Sequence, residues 1–560
     1  MDGLFRYAQG MDAYVWAVAL YRDGRLSEAE TACRALLVEH GRAVERFTLL
    51  GDILQSQGRF KESVGAYRDG LHCDDRHLPA WYGAGCGFNN LLEYGGAIPC
   101  WERALALDPD HVATHHNYGK SLFELGETDL ALAQFRAAMK YGENPLSLSS
   151  IATAIPASPT ATHQDVLEAR RRWAATCLPV VTPPVARRRA PGERIRIGYL
   201  SAFFGSENWM KPVWGIIDEH DRSRFEILLI SDTPLADCKS YRPNPLDEFV
   251  DITGLCNDDA ADRIEGLGLD LLIDLNSYST VERLGLLARK PAPILVAWFN
   301  LYAASGIAAY DYLIGDESVV RPEEEPYYTE RIARVAGCYL TYRVQYPVPE
   351  VAAAPCLRNG FLTFGSFASL HKLNPGVIAA WGEILRRAPG AQLLLKNGLL
   401  QRTTVVDYIR KAFVGQGVAA ERLHFSGRSP HFDFLGAYGE VDVALDPFPY
   451  NGGTTTSEAL WQGVPVICFE GDRWAARQGV SLLRAAGLEE FAAADLGGYL
   501  EMAVGWANEA VKWGGLAALR EGMRGRLLGS AVCDTVGFAR NLEGLYLRFL
   551  GEGPYRAEHV

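Results

Sequence analysis

Residues 446–465, DPFPYNGGTTTSEALWQGVP, begin where a short apolar run ends and continue into a helical pattern. Glycines up to Gly453 permit close backbone approach, and the hydroxyls of Thr454, Thr455 and Thr456 follow at the start of the helix, where free N–H groups form its positive end. A strand, a tight turn and a helix in this order predict a parallel α/β unit that binds a phosphate. The same stretch also fits a helix cap, because Thr455 and Glu458 have the spacing of a capping box.

Ten strand-like apolar runs surround this stretch, and helical patterns separate most of them. They lie at residues 194–200, 225–231, 270–275, 294–299 and 311–315, and then at 360–367, 391–396, 422–426, 441–445 and 464–469. Strands that alternate with helices predict parallel sheets covered on both faces. Two such series predict two Rossmann-like domains, with ligands at the carboxyl ends of the strands and closing helices over about residues 498–550.

The N-terminal quarter has an internal period of 34 residues, and four copies cover about residues 10–143. Three columns of equivalent residues recur at this period. The first column contains the small residues Ala17, Gly51, Gly85 and Gly119, and the second contains the small residues Ala29, Ser63, Ala97 and Ala131. The third contains mostly bulky residues, Cys33, Tyr67, Trp101 and Phe135. The pattern resembles the tetratricopeptide repeat, in which small residues let two helices cross closely. An α-solenoid of this kind presents a concave groove suited to an extended peptide.

Composition narrows the function classes. A chain of 560 residues predicts two to four domains, and 48% hydrophobic with 22% charged residues is typical of globular protein. The net charge of −13 argues against a general nucleic-acid binder. Eleven scattered cysteines without a C-x-x-C pair indicate reduced thiols and no zinc site. No apolar run reaches about 18 residues and the N-terminus does not resemble a signal peptide, so we expect a cytoplasmic protein without a membrane span.

The twenty-residue string closely resembles the corresponding segment of the protein O-GlcNAc transferase and SPINDLY family. These are glycosyltransferases of GT-B architecture that modify Ser or Thr on proteins. Other stretches follow in family order over about residues 194–550, and the preceding repeats match the family layout: GYLSAFF (198–204), DLLIDLNSY (270–278), RKPAPILVAWFNLYAASG (289–306), DYLIGD (311–316), FGSFASLHKLNP (364–375), LLLKNG (393–398) and GDRWAARQGVSLL (471–483).

The resemblance implies a bacterial-type member with four regions. These are tetratricopeptide repeats at 1–145, a linker with one helix at 146–192, an acceptor-side Rossmann-like domain at 193–350, and a nucleotide-sugar-binding Rossmann-like domain with closing helices at 351–560. It implies a nucleotide-sugar donor, a protein acceptor held by the repeat groove, and no metal or other cofactor. A homodimer is compatible with a repeat arm.

Roles of individual residues follow from matching positions. Lys372 matches the lysine that contacts the donor diphosphate, where it offsets charge on the leaving group. Thr454 and Thr455 match the donor-phosphate threonines, and Glu458 matches the acidic residue for the ribose. We also expect further residues on the donor side and on the acceptor or sugar side. The donor set adds Gly453, Thr456, Ser369, Lys396, Arg473 and Arg477, and the acceptor or sugar set is Asn276, Tyr278 and Tyr302.

The sequence departs from the family where sugar, base and acceptor meet. Phe203 stands in place of an aspartate, and Glu207 occupies the position of a histidine that faces the active site. A second family histidine falls on Phe434, with His431 displaced by three residues. The base is therefore open between Glu207, His371 and a phosphate oxygen of the donor. The donor nucleotide is equally open between UDP, GDP and CMP.

Three functions compete. The first is an inverting, metal-independent transfer of a sugar to Ser or Thr of a protein. The second is a flagellin-type or other dedicated-acceptor glycosyltransferase with a different sugar. The third is a non-catalytic tetratricopeptide scaffold with a degenerate transferase region, which the missing histidine favours and the phosphate segment opposes.

Overall fold

The computed structural model describes residues 13–180, 190, 192–238, 242 and 244–554, without the side chains of 207 and 208. The chain forms two compact units. One contains residues 1–147 together with 399–412, and the other contains residues 148–398 and 413–560. None of the helices within the described ranges is long and apolar enough to cross a membrane.

The repeat unit consists of paired helices at the predicted period. Its eight repeat helices are α1 (Ala13–Arg22), α2 (Leu26–Glu39), α3 (Val44–Ser56), α4 (Phe60–Leu71), α5 (Leu78–Asn90), α6 (Tyr94–Leu107), α7 (Val112–Glu124) and α8 (Thr128–Ala137). Tyr67 is fully buried, and a Cβ atom added at Gly51 or Gly83 would lie 2.5 or 2.4 Å from its ring. The small residues of the sequence columns therefore make room for the bulky ones.

The second unit contains two parallel sheets. The first lobe has β1 (Ile195–Ser201), β2 (Phe225–Ser231), β3 (Glu248–Asp251), β4 (Leu271–Asp274), β5 (Ile294–Ala297), β6 (Tyr312–Gly315) and β7 (Arg331–Arg334), in the order β3-β2-β1-β4-β5-β6-β7. The second lobe has β8 (Thr363–Ser366), β9 (Gln392–Lys396), β10 (Leu423–Ser426), β11 (Val443–Leu445), β12 (Val466–Phe469) and β13 (Ala492–Ala493), in the order β10-β9-β8-β11-β12-β13. All pairings within both sheets are parallel.

Helices cover these sheets and complete the chain. They are α9 (Pro145–Ala154), α10 (His163–Cys177), α11 (Glu207–Glu219), α12 (Asn257–Glu265), α13 (Leu284–Ala288), α14 (Pro355–Asn359), α15 (Pro375–Arg387), α16 (Thr403–Gly415), α17 (His431–Gly436), α18 (Thr454–Trp461), α19 (Gln478–Ala485), α20 (Leu496–Asn508), α21 (Trp513–Leu528) and α22 (Thr535–Glu552). The stretch predicted as a connector with one helix therefore holds α10 and most of α9, which starts at a proline as helices readily do.

All ten predicted strands are present, and the architecture of a repeat solenoid followed by two α/β domains is confirmed. The sequence reasoning missed three strands, β3, β7 and β13, and each of them lies at the edge of its sheet. Edge strands are covered on fewer sides than central strands, so they need no continuous apolar run. Glu248–Asp251 and Arg331–Arg334 carry charged residues at both ends accordingly.

Helix α16 follows β9 in sequence, but its residues up to 412 belong to the repeat unit. Glu93 accepts hydrogen bonds from the backbone N–H and the hydroxyl of Thr404 at 3.0 and 2.6 Å. The Tyr408 hydroxyl donates to Glu127 at 2.9 Å. A Cβ atom at Gly95 would lie 2.2 Å from the Thr404 carbonyl oxygen, so the backbones approach closely here.

Candidate donor-binding and catalytic site

The turn between β11 and α18 is held by its own polar groups. The Asp446 carboxylate accepts a hydrogen bond from the Gly452 N–H at 2.7 Å, and the Asn451 side chain donates to the Pro447 carbonyl at 2.8 Å. A Cβ atom at Gly452 would lie 2.4 Å from the Thr455 hydroxyl oxygen. The turn therefore requires glycine at this position and directs the chain into α18.

Helix α18 starts without a side-chain cap. Its N-cap residue is Gly453, which has no side chain to accept a hydrogen bond from the first N–H groups. The Thr456 hydroxyl instead donates to the Gly452 carbonyl at 2.8 Å. The capping-box interpretation of Thr455 and Glu458 is therefore wrong, because the Glu458 carboxylate binds elsewhere. The uncapped helix start retains the donors that suit a phosphate.

Lys372 lies against this turn from the loop that follows β8. Its ammonium donates to the Asn451 carbonyl at 2.7 Å and lies 3.6 Å from the centre of the Tyr450 ring. Both partners are in the turn that leads to the threonines. The structure thus places the Lys372 ammonium against the turn that leads into α18 (Thr454–Trp461).

Burial shifts the pKa values of the ionisable groups at this point. Burial lowers the pKa of the Lys372 ammonium to about 8, although Asp446 opposes the shift. Burial also raises the pKa of the Asp446 carboxyl to about 7, against the opposing effects of the Gly452 N–H and Lys372. Burial and the neighbouring Lys372 lower the pKa of the His371 imidazole to about 3. His371 is consequently a neutral imidazole near pH 7.

Tyr302 of the first lobe contacts the same turn. Its ring stacks on the Tyr450 ring with centroids 4.4 Å apart and an angle of 30°. The His371 ring centroid lies 6.0 Å from that of Tyr450. Tyr302 is therefore two contacts away from Lys372.

Glu458, one turn further along α18, binds a residue that the sequence reasoning did not select. Its Oε1 atom accepts a hydrogen bond from the Lys211 ammonium in α11 of the first lobe. Both side chains are buried, with exposed fractions of 6% and 1%. The His431 Nε2 atom lies 3.8 Å from the same Glu458 oxygen.

Lys396 ends β9 and occupies a second part of the site. Its ammonium donates to the Ser426 hydroxyl and the Gly427 carbonyl, each at 3.1 Å, and lies 5.8 Å from the centre of the Phe434 ring. Burial lowers its pKa. A cavity in the same lobe is lined by aromatic rings and by the start of α18: Ser366, Phe367, Ala368, Tyr438, Ala444, Leu445, Asp446, Thr455, Thr456, Ala459 and Val466.

The two arginines predicted near the phosphates have other partners. Arg477 donates two hydrogen bonds to the Glu324 carboxylate at 2.8 and 2.7 Å. Arg473 binds Asp472 at 2.9 and 2.8 Å and donates to the Ser158 and Ala161 carbonyls at 3.1 and 2.7 Å. The structure does not bring either guanidinium to the threonines, and donor binding by them stays a prediction.

The remaining predicted residues lie at strand ends and loops. The Asn276 side-chain oxygen accepts from the Ala202 N–H at 2.8 Å, while its buried Nδ2 has no hydrogen-bond partner among the described residues. The Tyr278 hydroxyl donates to the Ser305 carbonyl at 2.7 Å. Ser369 is exposed and precedes the turn that carries Lys372. Glu207 begins α11, but its side chain lies outside the described part, so its role as a base stays a prediction.

Sequence reasoning missed Asp446, Tyr450 and Lys211. Asp446 and Tyr450 stand inside the twenty-residue string, so their position beside the threonines was a usable signal. Lys211 carries no such signal, because a lysine in a mixed polar helix ordinarily faces solvent. Among the residues with described side chains, no group of three or more His, Cys, Asp or Glu is arranged to hold a metal ion.

Comparison with known proteins places these features in a family. The model of "Glycosyl transferase family 41" matches residues 182–342 and 335–542, which is more than half of the chain. The chain belongs to glycosyl transferase family 41. A tetratricopeptide-repeat model matches residues 14–77 and 88–145. The resemblance to the O-GlcNAc transferase and SPINDLY group is thereby confirmed.

Similar curated proteins agree with this assignment. The probable UDP-N-acetylglucosamine–peptide N-acetylglucosaminyltransferase SPINDLY of Arabidopsis thaliana is 31% identical over 369 residues, which are 64% of this chain and 39% of that protein. The UDP-N-acetylglucosamine–peptide N-acetylglucosaminyltransferase of Caenorhabditis elegans is 24% identical over 57% of this chain and 38% of its own. The chain spans about two-fifths of the length of these curated relatives.

A solved structure resembles most of the molecule. A lysine-to-methionine mutant of the Thermobaculum terrenum O-GlcNAc transferase superposes with a TM-score of 0.74 at 30% identity. The match covers 91% of this chain and 97% of that one. The order of repeats followed by two parallel α/β domains is therefore shared with a family 41 structure.

Proposed function

We propose that this chain is a protein O-glycosyltransferase that transfers a sugar from a nucleotide-sugar donor to Ser or Thr of a protein. The reaction is inverting and independent of metal. One observation carries the proposal: the Lys372 ammonium lies against the turn that leads into the uncapped start of α18. Family membership and the relatives named above support it.

The chemistry follows from this arrangement. The acceptor hydroxyl oxygen attacks the anomeric carbon, and the bond from that carbon to the diphosphate oxygen breaks in the same displacement, which inverts the configuration. Negative charge gathers on the leaving diphosphate, where Lys372 and the N–H groups at Thr454–Thr456 stabilise it. The Lys372 ammonium and the N–H groups at the start of α18 thus supply the positive charge that a metal ion supplies at other phosphate sites.

The base that takes the acceptor proton comes from three candidates. The neutral imidazole of His371 can accept a proton, and the diphosphate beside it would stabilise the resulting cation. Glu207 and a phosphate oxygen of the donor are the other two. Asn276 and Tyr302, at the first-lobe side of the site, are proposed to contact the sugar or the acceptor.

The proposed acceptor is a protein, and the proposed cellular compartment is the cytoplasm. The repeat helices α1–α8 supply a groove for an extended segment of the acceptor protein. None of the eleven cysteines forms a disulfide bond, which suits a reducing compartment such as the cytoplasm.

Calorimetric titration with UDP, GDP and CMP tests the donor site. We expect one nucleotide to bind in the micromolar range and Lys372→Ala to weaken it at least tenfold. Lys290→Met is the matched control, because Lys290 forms a buried pair with Asp311 at 2.7 Å before β5, at the opposite end of the strands. The nucleotide affinity of folded Lys290→Met should stay within threefold of that of the wild type.

Absence of binding by the folded wild-type protein would refute the proposal and favour the scaffold function. If a nucleotide binds, incubation with the matching nucleotide sugars and release of the nucleoside diphosphate tests transfer itself. A dedicated-acceptor enzyme would bind its nucleotide normally and transfer sugar only to its own partner.

A further inference from the structure

Lys211 is a buried residue of α11, and its ammonium contacts α18. Its side chain is almost fully buried, and its ammonium donates to Glu458. Burial lowers its pKa, and Glu458 acts in the opposite direction to keep it charged. A lysine is seldom buried without a partner that holds its charge. The two lobes are therefore joined by an ion pair at α18 itself.

Glu458 lies on the face of α18 that follows the threonines. Thr454 and Glu458 are four residues apart, so they are neighbours on one side of the helix. Lys211 and His431 both approach the Oε1 atom of Glu458. Both of these contacts are to Oε1, so they fix one carboxylate oxygen and leave Oε2 for a ligand.

A cavity adjoins this ion pair. Its lining combines the pair with aromatic and aliphatic side chains: Lys211, Tyr342, Val344, Tyr346, Val348, Leu435, Ser457, Glu458 and Trp461. The Tyr342 hydroxyl is buried and has no partner among the described residues. A buried hydroxyl without a partner costs free energy, which a polar ligand in the cavity would recover.

We propose that Lys211 is a positioning residue that fixes Glu458 so that its second oxygen accepts hydrogen bonds from the ribose hydroxyls of the donor. The inference rests on the proposed function and adds a first-lobe residue to nucleotide recognition. Without Lys211 the carboxylate loses its fixed orientation and its charge partner. Selection for ribose over deoxyribose then depends on a side chain that lies 247 residues before Glu458 in sequence.

The test compares a ribonucleoside diphosphate with its 2′-deoxy and 3′-deoxy forms by calorimetry on the full chain. We expect the wild type to prefer the ribose form at least tenfold over one deoxy form. Lys211→Met should reduce this ratio to about threefold or less, mainly through weaker binding of the ribose form. Lys211→Arg, which retains a cation, should keep most of the preference.

Lys290→Met also leaves a buried carboxylate without its lysine, so a sample shown by circular dichroism to be folded controls for the loss of a buried lysine and should leave the ratio unchanged. Glu458→Gln should lower the ratio as Lys211→Met does, and the double variant should lower it no further, because both act on one contact. If Lys211→Met does not fold, Lys211→Gln and Glu458→Gln allow the same comparison.

A ratio that stays at the wild-type value in a folded Lys211 variant would overturn the inference. In that case, binding that still depends on Lys372 would leave the proposed function standing, whereas a wild type that binds no nucleotide would overturn both.

Discussion

The Lys372 ammonium lies 3.6 Å from the centre of the Tyr450 ring, and Tyr302 stacks on the same ring with centroids 4.4 Å apart. The ring therefore connects the cation of the second lobe to a tyrosine of the first. A cation over an aromatic face is held by the ring quadrupole, with about 0.5–2 kcal/mol depending on how far it is desolvated.

Tyr450→Leu should weaken nucleotide binding by about 2- to 30-fold, because Lys372 loses the ring that holds its ammonium in place. Tyr450→Phe keeps the ring and should bind within about twofold of the wild type. Calorimetry with the nucleotide that the wild type selects measures both variants. Equal losses in the two variants would show that the hydroxyl matters and the ring does not.

Donor affinity should fall as the pH rises from 7 to 9.5. The pKa of Lys372 is lowered to about 8 and that of Asp446 is raised to about 7, so each deprotonation in this range makes the site more negative. An anionic diphosphate binds the more positive form, and the affinity should decrease by up to about tenfold per pH unit for each proton lost.

A nucleotide sugar is the ligand for this measurement, because its esterified diphosphate does not titrate near pH 7. Lys372→Met removes one of the two coupled groups, so its affinity should be lower and should fall less steeply between pH 7 and 9.5 than that of the wild type. A wild-type profile that is flat across this range would contradict the electrostatic role of the pair.

Arg477→Met should destabilise the protein by about 3–5 kcal/mol, because it leaves the Glu324 carboxylate buried without its main partner. Arg477→Met combined with Glu324→Leu should recover most of this loss. Thermal melting measures the stability of each variant. Nucleotide affinity of the double variant then separates two roles: unchanged binding indicates a purely structural ion pair, and lost binding indicates that Arg477 contacts the donor.

Gly83→Ala should destabilise the repeat unit by about 1–3 kcal/mol, because the new Cβ atom would lie 2.4 Å from the Tyr67 ring. Gly65→Ala is the matched control, since no heavy atom lies within 4 Å of a Cβ atom there. It should be neutral or stabilising by up to about 1 kcal/mol, from helix propensity alone. Melting followed by circular dichroism distinguishes the two, and equal melting temperatures would contradict the packing described for Tyr67.

The fold could be predicted wherever the sequence repeats or buries whole strands. A central strand such as β2 is a continuous apolar run, and its predicted bounds of 225–231 match the structure. Strand β7 lies at an edge and has arginine at both ends, so no apolar run marked it. The small and bulky columns of the repeats were visible because they recur at one spacing.

The site could be predicted where its residues are close together in sequence. Thr454 and Thr455 follow a glycine turn, and that local pattern indicates a phosphate. The partner of Arg477 could not be predicted, because Glu324 is far away in sequence and only the packing of two lobes brings the charges together. The same holds for Lys211 and Glu458, which look like ordinary surface charges in isolation.

Glu93 and Glu127 occupy equivalent positions of successive repeats, and they bind Thr404 and Tyr408, which are one helical turn apart on α16. The spacing of the last two repeats is thus matched to a helix outside the array. Over evolutionary time, whole repeats can be gained or lost ahead of residue 78 without disturbing these two bonds. A duplication between Glu93 and Glu127 would separate the pair and break the match, so variation in the number of repeats is expected only at the N-terminal end.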